Sequence, residues 1–186
     1  QIAEFKSQLV TAATRLFVND GYAGVTMRAI AKELNCSPMK AYRYFGDKDE
    51  VFAVVRTAAF QSFAETQKNA YFSEENSVDR LSALGAAYFL YASENPLQYR
   101  LMFELLQSDP AGHPELEEAR IAAMKPLRVA ISELVEQGTF ENDVDLLTNV
   151  FWAGVHGTVS LSLAGKLLNN TDAELLGHTL TTALFA

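Results

Sequence analysis

The side chains best suited to chemistry in this chain lie between Thr26 and Lys48, where hydroxyl, basic and aromatic residues are interspersed. Residues 26–34 and 38–45 are each expected to form a short helix, with a three-residue turn between them. This is the spacing of a helix-turn-helix, which inserts its second helix into the major groove of DNA. The segment therefore predicts a DNA-binding motif.

The residues of this motif are expected to make two kinds of contact with DNA. Side chains at the start of the second helix reach base edges, and those around it bind phosphates without reading sequence. The predicted base-edge residues are Pro38, Met39 and Lys40. The predicted phosphate contacts are Thr26, Tyr42, Tyr44 and Lys48. Arg28, Ser37 and Arg43 complete the predicted DNA-binding set.

Local signals also define the ends of these helices. Thr26 and Ser37 are good N-cap residues, because a side-chain oxygen can accept a hydrogen bond from a free helical N–H group. Pro38 fits the first turn of a helix, where its missing N–H costs nothing. Asn35 is the expected terminator of the first helix, since Asn tolerates the left-handed backbone conformation.

The charge distribution favours the same end of the chain. The 186 residues contain 15 Lys and Arg against 23 Asp and Glu, so the formal net charge is −8. Residues 1–56 nevertheless hold eight basic and six acidic side chains, whereas residues 57–186 hold seven and seventeen. A polyanion would be attracted by the first part of the chain and repelled by the rest.

The pattern of the whole chain is all-α. Apolar residues recur at helical spacing from residue 2 onward, and no alternating strand is visible. Longer helices are expected at 48–71, 78–93, 95–106, 115–137, 143–168 and 172–184. We predict an N-terminal three-helix DNA-binding domain at 1–46 and a larger helical domain at 47–186.

Enzymatic and metal sites find little support. The three histidines are scattered, Cys36 is the single cysteine, and no phosphate-binding glycine loop or G-x-S-x-G motif occurs. No metal or cofactor is therefore expected. No apolar run approaches the roughly 18 residues of a membrane span, and no signal peptide is recognisable, so a cytoplasmic protein without a membrane partner is predicted.

The run from Thr26 to Phe52, TMRAIAKELNCSPMKAYRYFGDKDEVF, closely resembles the signature of TetR-family transcriptional regulators. The matching elements are Thr26, Ile30-Ala31, Ser37, Tyr42-x-Tyr44-Phe45, and Lys48 followed by an acidic residue. The chain departs from the family pattern at Asn35, Cys36 and Met39-Lys40. The resemblance implies a homodimer whose larger domain encloses a pocket for a small inducing molecule.

The larger domain contains candidates for both roles. Small and apolar residues on helix 143–168, with partners on helix 115–137, are expected to form the dimer interface: Leu127, Ile131, Phe151, Gly154, Thr158, Leu161 and Gly165. An ordinary core contact within one chain would give the same pattern.

Aromatic and Met residues are the candidates for the ligand pocket, namely Phe63, Tyr88, Tyr99, Met102, Phe103, Trp152 and His156. Residues of these types at helical spacing also form ordinary core. Trp152, His156 and Gly157 resemble a Trp-x-x-x-His-Gly stretch found in one subgroup of the family, although a hydrogen-bonded core histidine would fit the same place.

These observations lead to one hypothesis and two alternatives. The hypothesis is a DNA-binding transcriptional regulator, a repressor that binds a palindromic operator as a homodimer and is released by an unknown small-molecule inducer. The first alternative is a helical sensor or carrier of small molecules that does not bind DNA. The second is a small all-α enzyme that uses the same pocket.

Overall fold

A computed structural model of the chain describes residues 2–105, 112–172, 175–176 and 179. Within these residues the chain forms eight α-helices and no strand. They are α1 (Ile2–Gly24), α2 (Met27–Glu33), α3 (Pro38–Tyr44), α4 (Lys48–Phe72), α5 (Ser77–Glu94), α6 (Pro96–Phe103), α7 (Pro114–Glu136) and α8 (Val144–Leu163). The predicted all-α class is confirmed. The helix predicted at 172–184 lies mostly outside the described residues.

The predicted limits of the two short helices are confirmed by their capping bonds. The Thr26 hydroxyl accepts a hydrogen bond from the Ala29 amide at 3.1 Å, and the Ser37 hydroxyl accepts one from the Lys40 amide at 3.2 Å. Asn35 has a φ of 48°, so it occupies the left-handed region that ends α2. Local sequence therefore fixes the turn between α2 and α3.

Two predicted helices end earlier than expected. The helix predicted to reach residue 106 ends at Phe103, and the one predicted to reach 168 ends at Leu163. Gly165 has a φ of 63°, and the Lys166 amide donates to the Leu161 carbonyl at 2.8 Å, which closes α8. In α1 the backbone leaves helical geometry at Gly21, and a further helical turn continues to Gly24.

The helices form two compact units. Unit 1 comprises the chain up to Ser62 together with Asn95–Ile121. Its core contains apolar side chains of α1 to α4, including Leu9, Phe17, Ile30, Ala41 and Phe52. α2 packs against both α1 and α3, and α6 packs against α1. The buried apolar side chains of the helix-turn-helix thus form part of the core of unit 1.

Unit 2 comprises Phe63–Glu94 and the chain from Ala122 onward. α5 packs on α8 within it. A cluster of buried apolar side chains forms its core: Leu81, Ile131, Leu134, Phe140 and Phe151. The division between the units falls inside α4 and inside α7, so each of these helices contributes residues to both.

Candidate nucleic-acid interface and ligand cavity

The second helix of the helix-turn-helix presents most of its side chains to solvent. Only Ala41 of α3 is buried, and it packs into the core of unit 1. Pro38, Met39, Lys40 and Tyr42 are exposed, as are Arg28 and Arg43. We call these six residues the contact surface. They include three cations and no acidic side chain, which suits contact with a polyanion.

Other predicted contact residues also hold the motif together. The hydroxyl groups of Thr26 and Ser37 cap α2 and α3, as described above. Tyr44 is half-buried, with its ring 4.7 Å from that of Phe5. These residues have structural roles that would account for their presence with or without DNA.

Lys48 also has a structural role. Its ammonium group donates a hydrogen bond of 2.8 Å to the backbone carbonyl of Tyr22 and lies 4.1 Å from the centre of the Tyr22 ring. Asp47 caps the same end of α4 by accepting a hydrogen bond from the Glu50 amide at 2.9 Å. Lys48 thereby ties the start of α4 to the end of α1.

The predicted ligand residues belong to both units. Tyr99, Met102 and Phe103 lie in unit 1, where the Phe103 ring packs against Phe60 at 5.7 Å. Arg56 on α4 donates to the Met102 carbonyl at 3.2 Å. Burial of its guanidinium, and the nearby charge of Arg120, lower the Arg56 pKa.

The other four predicted ligand residues lie together in unit 2. The Phe63 ring packs edge-on against Tyr88 at 5.1 Å, and the Tyr88 hydroxyl shares a hydrogen bond of 3.0 Å with Nδ1 of His156. The Trp152 and His156 rings are 6.0 Å apart, one helical turn from each other on α8. Sequence spacing predicted the last pair, but only the fold brings α5 against α8.

A small cavity of about 30 Å³ adjoins this group. Its walls come from α4, α5, α7 and α8, and the lining residues are Gln67, Leu81, Leu84, Gly85, Tyr88, Leu127, Phe151, Trp152 and Val155. Ligand sites for small molecules usually enclose about 300–1,000 Å³. The cavity in this conformation is therefore much smaller than a typical ligand site, and mostly apolar.

Sequence reasoning predicted Tyr88 and Trp152 as ligand contacts but missed the other residues that line this cavity, among them Gln67 and Gly85. Gln67 is buried, and its side-chain amide donates to the Leu84 carbonyl at 3.3 Å. Gly85 lies inside α5, and a Cβ added there would meet nothing within 4 Å. A glycine in mid-helix was a visible signal, because it costs helix stability without an evident need for backbone freedom. Gln67 gave no such signal.

The structure separates the residues predicted for a dimer interface. Ile131 and Phe151 belong to the buried core of unit 2, Thr158 is also buried, and Leu127 lines the cavity. Gly154 is half-buried, and Leu161 is 46% exposed. Gly165 does not belong to the predicted helical stripe, because it lies beyond the end of α8 in a left-handed turn.

An unpredicted polar cluster lies elsewhere in unit 2. Glu133 on α7 accepts hydrogen bonds from the Tyr71 hydroxyl, from the Ser77 hydroxyl at 2.7 Å and from the Arg80 guanidinium at 3.0 Å. Burial acts to raise the pKa of Glu133, but these hydrogen bonds and the Arg80 charge together lower it. Among the described residues, no group of three acidic, His or Cys side chains could hold a metal ion.

Comparison with known proteins agrees with this geometry. Residues 9–55 match the family described as bacterial regulatory proteins, tetR family, and residues 81–184 match the tetracyclin repressor-like C-terminal domain. The second match covers more than half of the chain. The chain belongs to the TetR family.

TetR-family relatives give the same functional class. The chain is 23% identical to the HTH-type transcriptional regulator Mb1846 of Mycobacterium bovis, over 88% of this chain and 82% of that protein. It is 25% identical to the HTH-type transcriptional activator FasR of Mycolicibacterium smegmatis, over 72% and 60%. This TetR-family chain is accordingly a DNA-binding transcriptional regulator.

A solved structure shares the complete TetR fold. The regulator FadR of Bacillus subtilis, solved in complex with stearoyl-CoA, superposes with a TM-score of 0.81 at 17% identity, over 97% of each chain.

Among the described residues of the present chain, no helix combines the length and apolar character needed to cross a membrane.

Proposed function

We propose that this TetR-family regulator is a repressor that binds a palindromic operator as a homodimer and is released by a small molecule held in unit 2. The DNA-binding part of this proposal rests on the capped helix-turn-helix with its exposed, basic contact surface. In a dimer, the two copies of α3 would enter successive major grooves, about 34–36 Å apart. The names of the relatives leave open whether the chain represses or activates, and we propose repression. We also propose that the protein is cytoplasmic and is not an enzyme.

The homodimer is supported by one face of α8. Leu146 is 55% exposed and Leu161 46% exposed, and Val150 lies between them on the same face. The core-facing side of the helix lies opposite, with Phe151 and Val155 buried. At Gly157, on the exposed face, an added Cβ would meet nothing within 4 Å, which leaves room for a second helix. We infer that α8 packs against its own copy, as helices of a two-fold four-helix bundle do.

The ligand is proposed to enter the unit 2 cavity. Its walls are largely apolar, so the ligand should have an apolar body, and the acyl chain of the stearoyl-CoA bound by FadR of Bacillus subtilis has that chemistry. Gln67, Tyr88 and Trp152 add polar atoms for orientation. We further propose that the chain belongs to the subgroup with the Trp-x-x-x-His-Gly stretch. In this chain, His156 of that stretch would position Tyr88 on the cavity wall.

Release of the protein from DNA would follow because the ligand cavity is small. A drug-sized molecule does not fit into about 30 Å³, so its binding requires the helices around the cavity to move apart. Gln67 is on α4, which begins at Lys48 beside the helix-turn-helix. A ligand that binds the expanded conformation more tightly would thus shift α4 and lower the affinity for DNA.

Selection of bound duplexes from a random DNA pool at near-physiological salt tests this proposal. We expect enrichment of a palindrome whose half-sites are centred about 10 base pairs apart or a multiple of that distance. The protein should first be stripped of co-purified small molecules by unfolding and refolding. Failure to enrich any sequence, while a known regulator succeeds in parallel, would contradict DNA binding and favour the sensor or carrier alternative.

A further inference from the structure

The outer face of α3 carries an apolar side chain at the point where it would meet DNA. Met39 is 79% exposed, and it follows Pro38, which is exposed as well. A methionine in this position neither supports the core of unit 1 nor adds charge for a phosphate. We propose that Met39 determines base preference by packing on the methyl group of a thymine in each operator half-site.

Two exposed cationic side chains near Met39 each contact an aromatic ring of the protein. The Lys40 ammonium lies 4.7 Å from the centre of the Phe5 ring, and the Arg43 guanidinium lies 5.3 Å from that of Tyr44. Cation–π contacts of this kind favour the observed orientations. Met39 is the most exposed large apolar side chain of α3, at 79% against 51% for Tyr42.

The chemistry of base edges then limits what Met39 can select. Guanine and adenine are recognised in the major groove by paired hydrogen bonds from Arg, Lys, Asn or Gln, and cytosine by a carboxylate. A thioether offers no donor and only a weak acceptor. The C5 methyl of thymine is the apolar group on a major-groove edge, and a flexible, polarisable Met side chain adapts well to it.

This inference rests on the proposed DNA-binding function, and it revises one expectation from the sequence. Pro38, Met39 and Lys40 were all expected at base edges. The structure assigns the choice of base to Met39 and leaves Lys40 to strengthen binding through charge. The two residues are adjacent, so their substitutions provide matched variants in the same helix.

The test uses the operator recovered by selection and removes one thymine methyl at a time. Each thymine is replaced by deoxyuridine, in both half-sites together, which keeps all hydrogen bonds of the base pair. At one thymine position, loss of the buried methyl should weaken binding of the unaltered protein. The expected loss of affinity is about fourfold per half-site. Met39→Ala should bind the thymine and deoxyuridine duplexes equally well at that position.

Lys40→Ala serves as the matched control and should keep the full penalty for deoxyuridine. Thermal unfolding should show that Met39→Ala folds like the unaltered protein, because the side chain is exposed. If a palindrome is recovered but no methyl effect depends on Met39, this inference is wrong while the proposed function stands. If no sequence is enriched, the proposed function itself fails.

Discussion

Single side chains with hydrogen-bonding oxygens determine where the helix-turn-helix begins and turns. The hydroxyl groups of Thr26 and Ser37 accept the capping bonds of α2 and α3, and Asn35 takes the left-handed conformation between them. Each feature depends on near neighbours in sequence, so the residue types alone predicted it. The contacts of Lys48 were different, because its partner Tyr22 is distant in sequence and was found only in the fold.

Lys48→Ala tests both roles of that residue. Loss of the charged hydrogen bond to the Tyr22 carbonyl should lower the free energy of unfolding by about 1–2 kcal/mol, measured by denaturant titration. If Lys48 also contacts a phosphate, log Kobs against log salt should become shallower by about one unit for every duplex. Lower stability with an unchanged slope would restrict Lys48 to its structural role.

The α5 helix contains a glycine, Gly85, that its own packing does not require. A Cβ at Gly85 meets nothing within 4 Å, and the residue lines the cavity of unit 2. A mid-helix glycine costs up to about 1 kcal/mol relative to alanine. The free space around Gly85 is consistent with the room that the proposed ligand would need.

Gly85→Ala should therefore raise the free energy of unfolding by about 0.5–1 kcal/mol. Denaturant titration is the measurement. Gly138→Ala is the matched control: it also has open space, but its φ of 74° disfavours alanine, so it should destabilise. A destabilised Gly85→Ala would show that α5 needs the glycine for packing rather than for ligand space.

Three helices of unit 2 meet at the carboxylate of Glu133. Tyr71 belongs to α4, Ser77 and Arg80 to α5, and Glu133 to α7. Because the folded state lowers the Glu133 pKa, the ionised carboxylate stabilises the fold above its unfolded pKa, and this contribution is lost as pH falls through the lower folded value.

Glu133→Gln should reduce stability near neutral pH by about 1–2 kcal/mol, since charge-assisted hydrogen bonds become weaker. The difference in stability between the variant and the unaltered protein should become smaller as pH falls below about 4, because carboxylates titrate in this range. Thermal unfolding from pH 7 to pH 3 measures this. Glu141→Gln, at an exposed position, is the control; an equal gap at all pH values would exclude the carboxylate charge as the cause.

The exposed face of α8 is the surface that we propose joins two copies of the chain. Val150→Arg adds a charge to its centre, which should disrupt an apolar interface and yield monomers by light scattering. Thr139→Arg adds the same charge at an exposed turn and should leave the mass unchanged. A dimeric Val150→Arg protein with native helicity would place the interface elsewhere.

The order of residues was enough to predict the all-α class and the helix-turn-helix with its capping residues. These depend on helical periodicity and on bonds between residues three to five positions apart, which the order of residues encodes directly. The end of α8 was misjudged because Gly154 and Gly157 are helical, whereas Gly165 terminates the helix, and the three look alike in sequence.

Which residues of different helices meet became known from the packed fold. It joined Tyr88 to His156 and Arg80 to Glu133, and it assigned Ile131 and Phe151 to the core of unit 2. Periodicity gives the inward side of a helix but not the helix against which that side packs. Contacts between residues more than fifty positions apart arise from the packing of whole helices, so neither the cavity nor the Glu133 cluster could be predicted from spacing along the chain.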